Sequence, residues 1–226
     1  MMAGTDADRI AELEESNRRL RRLLDQRDAP GELRHRLRST LALLRAVVRR
    51  SADTERDLAG YAAHLEDRLE AIVRAQALAD QHGEIDLRTL LADELFQYGA
   101  SEGNQLLLSG PDVRLQPRVG QVLALAVHEL AVNAVEHGAL GTDAGRVEVS
   151  WSLVAAEPDM RLLFTWKEFS PLLIVEPERR GFGTEVLTRM LAYDLKAGTD
   201  LAFEPGGLRC TIRLPLPKQA GQVAED

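Results

Sequence analysis

The chain has 226 residues and a formal net charge of −8, a length that suits one medium domain or two small ones. The acidic balance argues against a nucleic-acid binder, which needs a basic face to neutralise phosphates. A single cysteine excludes an intrachain disulfide and a cysteine-rich metal site.

Residues 6–27 carry Ile10, Leu13, Asn17, Leu20 and Leu24 at steps of three and four, the seam of a short coiled coil, with an amphipathic helix packed on its own chain as the alternative. Asn17 falls at an a position, where a buried amide favours a parallel, in-register pair. The basic run Arg18 to Arg22, broken only by Leu20, reads as a solvated helix face. Asp28-Ala29-Pro30-Gly31 breaks the pattern. A second helix over 32–50 follows, with an apolar stripe of Leu33, Leu37, Leu41, Leu44 and Val48. After a short turn, a third helix running to about residue 78 carries Leu58, Tyr61, Leu65, Leu69, Ile72 and Val73 at helical spacing. Two such helices form an antiparallel hairpin, and two hairpins from two chains make a four-helix bundle.

Gln81-His82-Gly83-Glu84 reads as a linker, and the pattern then changes. A helix is expected over 85–98, with Leu87, Leu90, Leu91 and Leu95 on one face. Residues 106–115 have strand character around a Ser-Gly-Pro turn, and 117–140 contain a long, strongly apolar helix. Val147, Val149, Trp151 and Leu153 alternate as a strand, as do Leu162, Phe164 and Trp166. Residues 184–195 are helical, and 201–203 pair with 208–214 as a closing hairpin around Glu204-Pro205-Gly206-Gly207. Cys210 alternates with Leu208, Ile212 and Leu214 and is read as a core residue. The expected organisation is a coiled coil over 1–29, a helical-hairpin dimerisation domain over 30–80, an α+β sandwich over 84–217, and a flexible tail over 218–226. No apolar run reaches the roughly 18 residues of a membrane span, and the N-terminus lacks a signal-peptide apolar region. A soluble cytoplasmic protein is expected.

The polar residues of the long apolar helix are not scattered. Glu129, Asn133, Glu136 and His137 are related by four, seven and eight positions and share one face. Spacing alone fits an ordinary solvent-facing stripe. A carboxylate and an amide one turn apart also suit Mg²⁺, which prefers hard oxygen ligands alongside nucleotide phosphates. Gly138 then ends the helix as a C′ residue.

The segment His128-Glu129-Leu130-Ala131-Val132-Asn133-Ala134-Val135-Glu136-His137-Gly138-Ala139-Leu140 resembles the N-box of the Bergerat ATP-binding fold, in the form found in HWE histidine kinases. Three further matches follow in the family's order. Glu32 to Leu41, around His35, is similar to the phosphoacceptor motif, with Arg38 and Ser39 in place of its usual Lys and Asn, Trp166-Lys167-Glu168 to the W-x-E signature, and Glu176 to Thr184 to the P-x-x-x-G-F-G box. The resemblance spans residues 32–217. It implies a kinase core in which His35 is the phosphate-accepting nucleophile and Glu129 helps orient phosphoryl transfer. Asn133 would coordinate Mg²⁺, Glu168 would read the adenine amino group, and Gly181 and Gly183 would offer backbone N–H groups to phosphates. ATP and Mg²⁺ are the implied cofactors. The implied partners are a response-regulator receiver domain and a second copy of the chain. No sensor domain is recognisable, so a separate sensor protein is the expected source of input.

His35 lies two residues from both Leu33 and Leu37, off the apolar stripe, and an unperturbed imidazole keeps a usable neutral fraction near pH 7. His64 is the rival acceptor, with no motif around it. The chain departs from the family pattern after Glu168. Phe169-Ser170-Pro171-Leu172 stands where the family has a glycine pair, and Pro171 removes a backbone donor. Those positions put ATP binding in question and keep open a degenerate relative, one that exchanges phosphate through His35, removes it or docks partners without binding ATP. A serine kinase of the same ATP-binding fold is a third class, and the hairpin carrying His35 argues against it.

Overall fold

The computed structural model describes residues 31–51, 58–100, 103, 105–156, 159–171 and 181–216. The expected coiled coil and the tail lie outside these, as does most of the segment linking Pro171 to Gly181. The chain divides into two compact units, residues 1–69 and 70–226.

In the first unit, helix α1 (Gly31–Ser51) precedes helix α2 (Leu58–His82), which begins there and ends in the second unit. Leu41, Leu43, Val47 and Leu65 are buried. The expected stripe of α1 is therefore rotated: Leu43 and Val47 are fully covered, while Leu44 and Val48 are half-buried. A helix of 3.6 residues per turn drifts from a strict 3–4 step, so neighbouring positions take over the buried face. Arg68 donates to Ser51 Oγ at 3.1 Å, with both residues buried.

The second unit opens with the C-terminal part of α2, where Ala71, Ile72, Ala75 and Ala79 are buried. Alanines spaced by four leave one smooth face for close packing. Val73, placed by its spacing on the apolar stripe, is instead 62% exposed. The helix runs to His82, through the first part of the expected linker, and Gly83 then adopts a positive φ.

Strand β1 (Ile85–Asp86) follows, then helix α3 (Leu87–Phe96). Asp86 caps α3: its Oδ1 accepts from the Thr89 backbone N–H and hydroxyl, each at 2.8 Å. The expected strand region over 106–115 is two strands in two different sheets. Strand β2 (Leu106–Ser109) joins the main sheet, and β3 (Arg114–Leu115) pairs antiparallel with β1. Helix α4 (Pro117–Glu136) begins with proline at its first turn, where no N–H is needed.

Strands β4 (Arg146–Ala156), β5 (Asp159–Phe169), β6 (Gly198–Glu204) and β7 (Gly207–Leu216) complete a sheet ordered β2-β4-β5-β7-β6. β2 runs parallel to β4; the other pairings are antiparallel. Between β5 and β6, helix α5 (Phe182–Glu185), a π-helical turn (Val186–Met190) and helix α6 (Leu191–Leu195) follow one another directly.

One face of the sheet is dry. Val147, Val149 and Trp151 on β4, Leu162, Phe164 and Trp166 on β5, and Cys210, Ile212 and Leu214 on β7 are all buried. Lys167, Arg209 and Arg213 alternate onto the other face. The core thus lies between this sheet and the helices, an α+β arrangement with a mixed sheet. Burial holds the Cys210 thiol up at about 12, as a core cysteine should be. Helix α4 is the one helix among the described residues long and apolar enough to cross a membrane. Residues 120–131 are buried without a break, which marks α4 as the central core helix.

Candidate functional site

A helix buried all round has no room for a polar stripe, so each polar group on α4 needs its own explanation. Glu129 is 5% exposed and Asn133 half-buried, whereas Glu136 and His137 are exposed. The four residues read as one face therefore separate into an inner pair and an outer pair. The outer pair touches only loosely, His137 Nε2 to Glu136 Oε2 at 3.6 Å. His137 has already left the helix as its C-cap.

The inner pair meets the start of α5. A Cβ at Gly183 would stand 3.0 Å from Glu129 Oε2 and 3.3 Å from Asn133 Nδ2. A side chain here would press on both groups, which would have to give by a few tenths of an ångström. The fold thus gathers Glu129, Asn133 and Gly183 at one place. Gly181 sits two residues earlier, exposed, as the N-cap of α5.

Glu168 closes the same end of α4. It continues the inward alternation of β5 one step past Trp166 and is 2% exposed. Its Oε2 accepts from the Ala139 backbone N–H at 3.0 Å, and its Oε1 accepts from the Trp166 indole N–H at 3.1 Å. Burial raises the Glu168 carboxyl above its ordinary value, and these two donors pull it partly back. Gly138 explains the close fit. Its backbone (φ −125, ψ −148) is not left-handed, so the expected C′ glycine is there for space. A Cβ would overlap Glu168 Oε2 and approach Ala134 Cα to 2.9 Å. Trp166 is buried and orients the carboxylate in addition to packing.

After Phe169 the chain leaves the sheet. The Ser170 N–H donates to Gly206 O at 2.8 Å, and Pro171 is exposed. His35 lies near the start of α1.

Sequence reasoning missed a second cluster on α4. His128 is 2% exposed, with Nδ1 3.0 Å from Glu94 Oε1 and 2.7 Å from Tyr98 Oη. Arg74 of α2 donates to Glu94 Oε2 at 2.7 Å. The cue was present: Glu94 sits seven, four and three residues after Leu87, Leu90 and Leu91, on the apolar face of α3. A carboxylate on such a face needs a partner.

Among the described residues, no three His, Cys, Asp or Glu side chains converge to hold a metal. The carboxylate of Glu129 and the amide of Asn133, both facing Gly183, instead supply oxygens of the hard kind that a metal shared with phosphates takes. Mg²⁺ fits that donor set.

Comparison with known proteins bears on the family. The family model described as HWE histidine kinase matches residues 32–112. Blue-light-activated histidine kinase 1 of Erythrobacter litoralis is 33% identical over 199 residues, covering 84% of this chain and 54% of that protein. A blue-light-activated histidine kinase of Brucella ovis is 27% identical over 187 residues, covering 82% of this chain and 38% of the relative. The chain therefore spans about half or less of the length of these relatives. In structure, the blue-light activated histidine kinase EL346 of Erythrobacter litoralis aligns with a TM-score of 0.64 at 17% identity, over 86% of this chain and 63% of that one. Its separate histidine kinase domain aligns at 0.52 and 18% identity, over 84% of this chain and 99% of the domain. At such identities the likeness is one of fold. With the family model, the relatives and the motif residues in agreement, the chain belongs to the HWE histidine kinases.

Proposed function

We propose that this chain is a histidine kinase core that transfers the γ-phosphoryl group of ATP to His35 and then to an aspartate of a response-regulator receiver domain. The observation that carries the reading is the convergence of Glu129, Asn133 and Gly183 beside the turn held by Glu168. In the reaction, the unprotonated ring nitrogen of His35 attacks the γ-phosphorus and the bond to the departing ADP oxygen breaks. The proton on the other ring nitrogen leaves to solvent, giving neutral phosphohistidine. Asn133 offers an amide oxygen to Mg²⁺, which when bound neutralises charge on the phosphates. Glu129 orients the phosphoryl group and its attacker. Gly181 and Gly183 let the backbone approach the phosphates. Glu168, fixed by Ala139 and Trp166, keeps unused lone pairs on both oxygens for a purine amino group.

Helices α1 and α2 are the hairpin that a second copy would complete to a four-helix bundle, and the exposed Val73 of α2 is apolar surface of the kind such a copy covers. The use of ATP and a receiver domain places the reaction in the cytoplasm.

A second reading has its own support. Ser170 and Pro171 replace the glycine pair, and both Glu168 oxygens already accept protein donors. On that reading the chain exchanges or removes phosphate without taking it from ATP. Incubation with Mg²⁺ and ATP labelled at the γ-phosphate separates the two. The kinase reading expects acid-labile label that is lost in His35→Ala and in Asn133→Ala. No label, with no nucleotide binding by calorimetry, sinks it in favour of the second.

A further inference from the structure

The buried cluster at His128 lies outside the chemistry above. Three separate stretches supply it: Arg74 from α2, Glu94 and Tyr98 from α3 and its end, and His128 from α4. The Glu94 carboxylate only accepts, so the Nδ1 proton of His128 is directed to it, with the Tyr98 hydroxyl oxygen sharing the same donor. Glu94 Oε2 is in turn held by the Arg74 guanidinium. A second polar tie joins the same two helices nearby, from Gln121 of α4 to Gln76 of α2. His128 immediately precedes Glu129 and lies five residues before Asn133.

We propose that Arg74, Glu94 and His128 form a positioning relay that sets the rotation of α4 about its axis, and with it the placement of Glu129 and Asn133. Much of the remaining packing of α4 in this stretch is apolar: Val122 to Val127, Leu130 and Ala131 are buried. Apolar packing is non-directional and tolerates small rotations. Hydrogen bonds to a buried carboxylate are directional and weaken steeply with angle. A directional polar chain among these contacts therefore favours one setting of the helix. Because Arg74 rides on α2, the relay also makes that setting depend on α2. The relay's effect on rate rests on the kinase reading; its effect on α4 does not.

The test replaces the three relay groups by apolar ones of similar size, Arg74→Met with Glu94→Leu and His128→Leu, which strands no buried charge and takes from the half-buried Tyr98 hydroxyl only its His128 contact. Its comparison is His128→Asn, whose amide nitrogen stands near the place of Nδ1 and can donate to Glu94. We expect the triple variant to unfold as cooperatively as the wild type and to bind ADP within about threefold of it. Its rate of His35 phosphorylation should fall tenfold or more, while His128→Asn stays within about threefold. A triple variant that phosphorylates at the wild-type rate overturns the relay. So does one that loses ADP affinity and rate in equal measure, since the cluster then serves binding. If the wild type takes no label, the kinase reading has failed, and hydrogen exchange decides the relay alone. Faster exchange of the amides of 122–134 in the triple variant supports it, and unchanged exchange overturns it.

Discussion

Glu94 and Glu168 are both buried carboxylates against α4, one at its middle and one just past its C-terminal end, and they are satisfied in opposite ways. Glu94 has a cation, Arg74, and an imidazole N–H. Glu168 has two neutral donors, a backbone N–H and an indole N–H. The cation at Glu94 offsets the cost of removing the charge from water. The neutral donors at Glu168 do so only in part, which is why burial dominates and its pKa rises. The difference suits the two places: a fixed charge pair holds helices together, whereas a carboxylate met only by neutral donors suits the purine-reading role proposed for Glu168.

The comparison breaks first on single apolar replacement. Glu94→Leu removes the buried acceptor of both groups, leaving Arg74 with the exposed Glu70 at 3.5 Å and the His128 N–H with the Tyr98 hydroxyl. Breaking a buried pair costs about 3–5 kcal/mol, and the lower end, about 3 kcal/mol, applies here because Arg74 retains 27% side-chain exposure. Urea unfolding measures it, and restoring an all-apolar cluster with Arg74→Met and His128→Leu should recover most of the loss. A cost below about 1 kcal/mol for Glu94→Leu alone means that the pair contributes no more than a surface ion pair does.

Gly138→Ala sharpens the other side. The backbone conformation there is open to alanine, so the cost is steric, from a Cβ set against Glu168 Oε2 and Ala134 Cα. Overpacking of this kind costs about 1–3 kcal/mol. If the clash is with the carboxylate, Gly138→Ala and Glu168→Ala are less than additive in a double-mutant cycle. Additive costs assign the strain to Ala134 instead.

These two carboxylates also mark how far the sequence could be read. Glu168 was named through the W-x-E resemblance, and the alternation of β5 accounts for its burial: Leu162, Phe164 and Trp166 face the core, and the acid two residues on faces it too. Glu94 lay within a helix that the sequence indicated, but its partners are on α2 and α4, and no local pattern announces a contact between helices. The same holds for Gly183 against Glu129, named separately by their motifs and joined only by the fold. The closing hairpin was legible from its turn and its alternation. The parallel pairing of β2 with β4 was not, because nothing within a four-residue strand states which distant strand it joins. Gly138 was placed correctly at the helix end for a different reason, since a C′ glycine normally signals a left-handed backbone and this one signals a close neighbour.

The smallest effect tests the neutral-donor account itself. Trp166→Phe keeps the ring in the core and removes the N–H that reaches Glu168 Oε1. At neutral pH the loss should be about 1 kcal/mol beyond any packing change. The sign of its pH dependence follows from the raised pKa. A carboxyl whose folded pKa lies above its ordinary value of 4.5 contributes stability that is fully present below that value and is lost as pH rises through the folded pKa. Removing a donor that favours the charged form raises the folded pKa further. The window of declining stability then reaches to higher pH in Trp166→Phe than in the wild type. The gap between the two proteins should therefore be widest at neutral pH and narrow as the pH approaches 4.5, where Glu168 is protonated and the indole N–H faces a weaker acceptor. Urea unfolding at stepped pH reads this gap, with Glu168→Gln as the control that cannot titrate at this position. A gap of the same size at every pH would show that the indole holds Glu168 by packing alone, and that the two carboxylates of α4 differ in their neighbours but not in their electrostatics.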